Sequence, residues 1–120
     1  MARHNELGEK GEKMAQSFLR KKGYKILATN YRFKHLEVDI IAQDKDELVV
    51  IEVKTRQSEY LAGPEDTVTK GKQKSIIKVA NEYILENNLD VETRFDIISI
   101  ILNEKETKIE HLIDAFYPTL

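Results

Sequence analysis

Three residues carry the clearest chemical signal in this 120-residue chain. They are Asp39, Glu52 and Lys54. Two carboxylates and an ammonium on neighbouring strands suit a hard divalent cation and a phosphate. Mg2+ (or Mn2+) takes one or two carboxylates and keeps several waters. The carbonyl of Val53 offers a third oxygen. Lys54 stands two residues beyond Glu52, on the same face of a strand. There it can orient an attacking water or offset charge that develops on phosphate. The spacing alone is weak, because Glu-x-Lys is common in solvent-facing strands. Glu37 with Lys54 as a cross-strand salt bridge at a sheet edge is the plainer alternative.

The setting strengthens the signal. Leu36 to Gln43 and Glu47 to Arg56 read as strands joined by Asp44-Lys45-Asp46-Glu47. This is a hairpin signal without the glycine of the favoured tight turn. A turn centred on Lys45-Asp46 sets Ala42 opposite Val49, Ile41 opposite Val50 and Ile40 opposite Ile51. The same register sets Asp39 opposite Glu52 and Glu37 opposite Lys54. Strict alternation puts Glu37, Asp39 and Ile41 on one face and Val38, Ile40 and Ala42 on the other. Opposed carboxylates repel, and an ionised Glu52 inside Leu48 to Val53 is costly to desolvate. A divalent cation would relieve both.

Other elements must hold this hairpin. Asn5 to Lys22 reads as a helix, with Leu7, Gly11, Met14, Ala15, Phe18 and Leu19 at helical spacing and Gly23 as its stop. Tyr24 to Asn30 reads as a strand. Gln57 to Thr67, with Gly63-Pro64, reads as a loop. A second helix spans about Thr69 to Asn88, with Ile76, Ile77, Ala80, Tyr83 and Ile84 as its apolar stripe. Thr93 to Leu102 is a β-branched strand, and Lys108 to Ile113 is placed to pair with it. The order α-β-β-β-α-β-β predicts an α/β fold, a mixed β-sheet with flanking helices. The near-continuous apolar runs at 47–56 and 93–102 predict strands covered on both faces.

Length and composition fit one domain over 1–120, since 41% of residues are hydrophobic and 33% charged. The chain has no cysteine, which excludes disulfides and thiolate zinc sites and suits a reducing, cytoplasmic compartment. Met1 to Lys10 is polar and charged, unlike a signal peptide. The apolar runs Leu48 to Ile51 and Ile97 to Leu102 are too short to span a bilayer, so no membrane partner is expected. The net charge of −2 is unevenly spread: +6 over 1–35, −4 over 36–54, +2 over 55–81 and −6 over 82–120. An acidic segment with basic flanks suits a polyanion held over a metal ion, or reflects ordinary alternation of surface charge.

Arg56 and Thr55 follow the lysine and are candidate phosphate contacts, the arginine by a bidentate pair. Lys70, Lys72, Lys74 and Lys78 crowd the start of the second helix, and Arg20 to Lys22 end the first. They suit backbone phosphates without sequence reading, or form solvated helix faces. His4, His35 and His111 have no ligand spacing and read as surface or loop residues. Tyr24, Tyr31 and Tyr83 read as core or core-edge residues. Asp96, in an apolar strand, reads as a polar support under the site or as half of a lysine salt bridge.

The chain resembles the PD-(D/E)xK nuclease superfamily through Glu37-Val38-Asp39, the hairpin and Glu52-Val53-Lys54. More closely it is similar to the small bacterial YraN-like family of endonuclease-type proteins, related to archaeal Holliday-junction resolvases. The resemblance covers most of the chain. It runs through Gly11-Glu12-Lys13-Met14-Ala15, Asn30-Tyr31-Arg32, Glu52-Val53-Lys54-Thr55-Arg56, Lys72-Gln73 and Arg94-Phe95-Asp96. Two positions depart from the pattern: Leu36 replaces the family's glycine, and Val38 replaces the superfamily's proline. The resemblance implies a restriction-endonuclease-like fold. It implies Asp39 and Glu52 as metal ligands, Lys54 as the catalytic lysine and Glu12 as a helix carboxylate that approaches the metal. Gln73 would be the polar residue that the second helix adds near the site. The expected partner is DNA, branched or junction structures included, and two-fold symmetric junctions would suit a homodimer. The expected activity is metal-dependent phosphodiester hydrolysis. The competing expectations are a catalytically inactive nucleic-acid-binding module on a nuclease fold, and a protein-interaction domain with a structural ion cluster.

Overall fold

The strand built on Leu48 to Ile51 forms the middle of the sheet. A computed structural model describes residues 6–58 and 68–118. Asn5 and nearly all of the loop read from Gly63-Pro64 lie outside the described residues. The elements are α1 (Glu6–Lys21), β1 (Lys25–Phe33), β2 (Leu36–Asp44), β3 (Glu47–Arg56), α2 (Lys70–Glu86), β4 (Glu92–Leu102) and β5 (Thr107–Phe116). The five strands form one sheet in the order β1-β2-β3-β4-β5. Neighbours are antiparallel except β3 and β4, which are parallel. Joining parallel neighbours requires a crossover, and α2 lies on it. The fold is thus the mixed α/β sheet with flanking helices that the element order predicts.

Alternation along β3 explains the two layers. Val49, Ile51 and Val53 pack with Ala15 and Leu19 of α1. Leu48 and Val50 pack with Ile76, Val79 and Ala80 of α2. Each helix therefore covers one face, and the inner strands are buried on both. Burial of these Ile, Val and Leu side chains stabilises the fold by roughly 1.5–3 kcal/mol each before chain entropy is counted.

Local chemistry ends both helices. Gly23 adopts φ 93°, which costs a glycine nothing. Its N–H donates to the Arg20 carbonyl, and the Tyr24 N–H donates to the Leu19 carbonyl. This is a Schellman end, with Leu19 and Tyr24 packed in the same core layer. Asn88 plays the same part after α2, at φ 53°. Thr69 caps the other end of α2 by accepting from the Lys72 N–H at 3.1 Å.

α1 also comes unusually close to the sheet. A Cβ on Gly11 would stand 1.8 Å from Thr55 Oγ1. Only glycine lets the helix backbone rest on β3 at that point.

Candidate active site

The hairpin register is the expected one as far as Ile40. Asp44 pairs with Glu47, Ala42 with Val49, Ile41 with Val50 and Ile40 with Ile51. The regular ladder then stops, which corrects the direct Asp39–Glu52 pairing. The Asp39 side chain takes over, and its Oδ2 accepts the Val53 N–H at 2.8 Å. The expected alternation of β2 also fails here. Val38 packs with Ile41 on the α2 side, whereas Ile40 and Ala42 pack on the α1 side. The change of face falls at Asp39. Across from it, Asn30 of β1 has φ 49°, a left-handed conformation that asparagine tolerates. A kink between two regular ladder segments therefore sets the direction of Asp39.

Glu52 lies beside this kink, only 5% exposed. Its Oε2 has the Lys54 ammonium at 3.8 Å and the Lys72 ammonium at 3.7 Å. Its Oε1 is buried without a hydrogen-bond partner. Burial and then the charge of Asp39 push the Glu52 carboxyl up to about 8. Burial also raises Asp39, against the Val53 N–H, a side-chain hydrogen bond with Glu52 and the charge of Lys72, which pull it down. Both carboxyls thus resist carrying two full negative charges with only the present neighbours. A divalent cation satisfies such a pair, and the open Glu52 oxygen supplies a ligand atom. Among the described residues no three His, Cys, Asp or Glu side chains are grouped to hold a metal. The pair would leave the remaining ligand positions to water, as Mg2+ prefers.

The other candidates divide. Lys54 and Lys72 join Glu52. Reading Lys72 only as a surface phosphate contact missed its reach, because helix periodicity gives no hint of a long stem folding back onto a strand. Glu12 accepts from Asn30 Nδ2 at 2.9 Å, which ties it to the residue opposite the kink. Gln73 donates from Nε2 to the Val68 carbonyl at 3.2 Å, so its amide fastens the chain ahead of α2. Thr55 lies under Gly11 on the α1 side, and Arg56 ends β3 half-buried. Lys70 and Lys74 are exposed and line a small cleft of about 140 Å³ with Gln73, Ile77, Tyr117 and Pro118. Arg32, at 3.5 Å, is an ion-pair partner of Glu37.

Asp96 does not support this pair. It lies on β4 opposite Ile51, inside a separate ionic cluster. Arg94 donates to it twice, at 2.9 Å each. His111 is 2.7 Å away, and the Asp114 N–H donates at 2.9 Å. The Lys22 ammonium, which can only donate, is 2.8 Å from His111 Nδ1. Nδ1 therefore accepts, and Nε2–H donates to Asp96. His111 is thus a buried network residue, which corrects its reading as a surface histidine. Its role depends on a contact spanning 15 residues between paired strands, which no ligand spacing reveals. Burial alone would raise the Asp96 carboxyl, but the bonds from His111, Arg94 and Asp114 outweigh it and hold it below the usual range.

A carboxylate pair at a kink in the central hairpin of a mixed α/β sheet, with two lysines converging on it, defines the class of site. A profile of the uncharacterised protein family UPF0102 matches residues 11–100. The chain is 51% identical to a UPF0102 protein of Flavobacterium psychrophilum, over 98% of both chains. It is 50% identical to one from Christiangramia forsetii, again over 98% of both. A UPF0102 protein of Bacteroides thetaiotaomicron is 43% identical over 100% of this chain and 99% of its own. The chain belongs to the UPF0102, or YraN-like, family. No helix among the described residues is long and apolar enough to cross a membrane.

Proposed function

We propose that this protein is a divalent-metal-dependent endonuclease of the PD-(D/E)xK type that hydrolyses phosphodiester bonds in DNA. The observation that carries the reading is the pairing of half-buried Asp39 with buried Glu52, one Glu52 oxygen having no hydrogen-bond partner beside the Lys54 ammonium. Asp39 and Glu52 would hold Mg2+ or Mn2+, with the Val53 carbonyl as a further oxygen and Glu12 behind, through water. The bound ion supplies Lewis acidity at the scissile phosphate and a lower pKa for water.

The chain's own residues do the rest. The Val53 N–H fixes Asp39 Oδ2 and so fixes which way the carboxylate faces. Lys54 is one-third exposed and opens to solvent on the same face as Glu52. Its ammonium orients an attacking water and offsets negative charge on the phosphate as the bond breaks. Lys70, Lys74 and Arg56 add contacts to backbone phosphates, which carry affinity but no sequence information. Branched DNA is the substrate form that the likeness to junction resolvases favours, with a dimer to match its symmetry.

The test is cleavage of linear and four-way-junction DNA by purified protein with Mg2+ or Mn2+. Glu52→Ala and Lys54→Ala should each reduce the rate by roughly a hundredfold or more while the protein stays folded. Cleavage that persists unchanged in both variants would trace the activity to a contaminant and sink the assignment.

A further inference from the structure

We propose that Lys72 is the resident counter-cation of the carboxylate pair, displaced from Glu52 when a divalent ion binds and then turned to a phosphate of the nucleic acid. The inference rests on the reading that Asp39 and Glu52 bind such an ion.

Three observations lead to it. First, Lys54 and Lys72 both stand against the same oxygen, Glu52 Oε2, at 3.8 and 3.7 Å. Neither distance is that of a hydrogen bond, so charge alone holds the pair together. Glu52 Oε1 meanwhile has no hydrogen-bond partner. The two lysines neutralise the site without coordinating it.

Second, the two cations are anchored differently. Lys54 is on β3, in register with Ser99 of β4 inside a ladder that runs the length of the strand. Lys72 comes from the first turn of α2, and its side chain is 41% exposed. Its backbone N–H is fastened to Thr69 Oγ1. The four-carbon stem can therefore swing while the helix stays in place.

Third, a divalent ion on Glu52 would meet both ammonium charges within a few ångströms, and repulsion at that range is large in a partly buried site. The more exposed of the two, Lys72 at 41% against 34% for Lys54, relieves it by leaving. An ammonium released at the open side of the pair lies where a phosphate must approach. Metal binding would thus convert a charge that neutralises the empty pair into one that recruits substrate.

The experiment is Mn2+ titration by calorimetry of wild type, Lys72→Met, Lys72→Arg and Lys78→Met. Methionine keeps most of the aliphatic stem, so the fold is spared. Lys78 is exposed on the same helix and controls for loss of one charge. Lys72→Met should bind Mn2+ about tenfold more tightly than wild type, with Lys72→Arg and Lys78→Met within about twofold of it. A second readout is anisotropy of a short labelled DNA duplex. Lys72→Met should weaken binding about threefold in Ca2+ and leave it unchanged in EDTA. Equal Mn2+ affinity of Lys72→Met and Lys78→Met, or the same loss of DNA binding with and without Ca2+, would overturn the inference and leave the metal site standing. A wild-type protein that binds no Mn2+ would overturn both.

Discussion

Asp96 and Glu52 are both buried carboxylates on neighbouring strands, at 0% and 5% exposure, yet their surroundings differ in kind. Asp96 receives a two-pronged guanidinium, an imidazole N–H and a backbone N–H, all within 2.9 Å. Its charge is matched and its lone pairs are used. Glu52 faces another carboxylate, has two lysines at loose ion-pair distances, and keeps one oxygen without a hydrogen bond. The first cluster is the pattern of a structural ion network, in which hydrogen bonds offset the cost of burial. The second leaves that cost uncompensated, as sites that await a ligand do. Burial of charge alone would not tell them apart, and partner geometry does.

The largest effect that would sharpen this contrast lies at the saturated cluster. Asp96→Ala would leave the Arg94 guanidinium, 10% exposed, without its main partner. Denaturant unfolding should show a loss of about 3–5 kcal/mol, unaffected by divalent metal. A loss below about 1 kcal/mol would show that the network is not structural.

Next is the contact that seats α1 against the sheet. Gly11→Ala would drive a methyl into Thr55, one residue beyond Lys54. We expect about 2–3 kcal/mol of destabilisation, partly recovered by adding Thr55→Gly. A Gly11→Ala protein as stable as wild type would break the close-packing account.

A smaller effect concerns pH. In metal-free protein the Glu52 carboxyl is raised from its ordinary 4.5 to about 8. The folded chain then holds more protons than the unfolded one between those values. Its stability therefore falls as pH rises through that window. Glu52→Gln should flatten the slope and exceed wild type by about 1–2 kcal/mol at pH 9 in EDTA. Urea melts across pH 5–9 would read both. A wild type that gains stability over this range through Glu52 would contradict the unsatisfied state assigned to it. Asp96 behaves oppositely: its depressed carboxyl contributes stability above the unfolded value and loses it only as pH falls into the acid range.

Much of the frame was legible in the chain. Apolar runs marked β3 and β4, the helical stripes marked α1 and α2, and matching apolar positions gave the register of Ile40, Ile41 and Ala42 with Ile51, Val50 and Val49. Such features are periodic and local, so sequence carries them. The departures all sit where periodicity ends. The change of face at Asp39 coincides with Asn30, across from it on the neighbouring strand, in the left-handed region. The reach of Lys72 to Glu52 and the His111–Asp96 bond join residues whose proximity only the folded sheet creates. Gln73, which the family resemblance rather than any periodicity puts near the site, bonds the chain preceding α2, a helix-end contact.

The central claim is that the Asp39–Glu52 pair is a divalent-cation site. Thermal melts of wild type and Glu52→Gln, in EDTA and in 1 mM Mn2+, test it most directly. Wild type should be stabilised by Mn2+, by about 2–3 kcal/mol if the ion is present at roughly a hundred times its dissociation constant. Glu52→Gln should lose nearly all of that gain. Equal melting of wild type with and without Mn2+, or an equal gain in Glu52→Gln, would contradict the account.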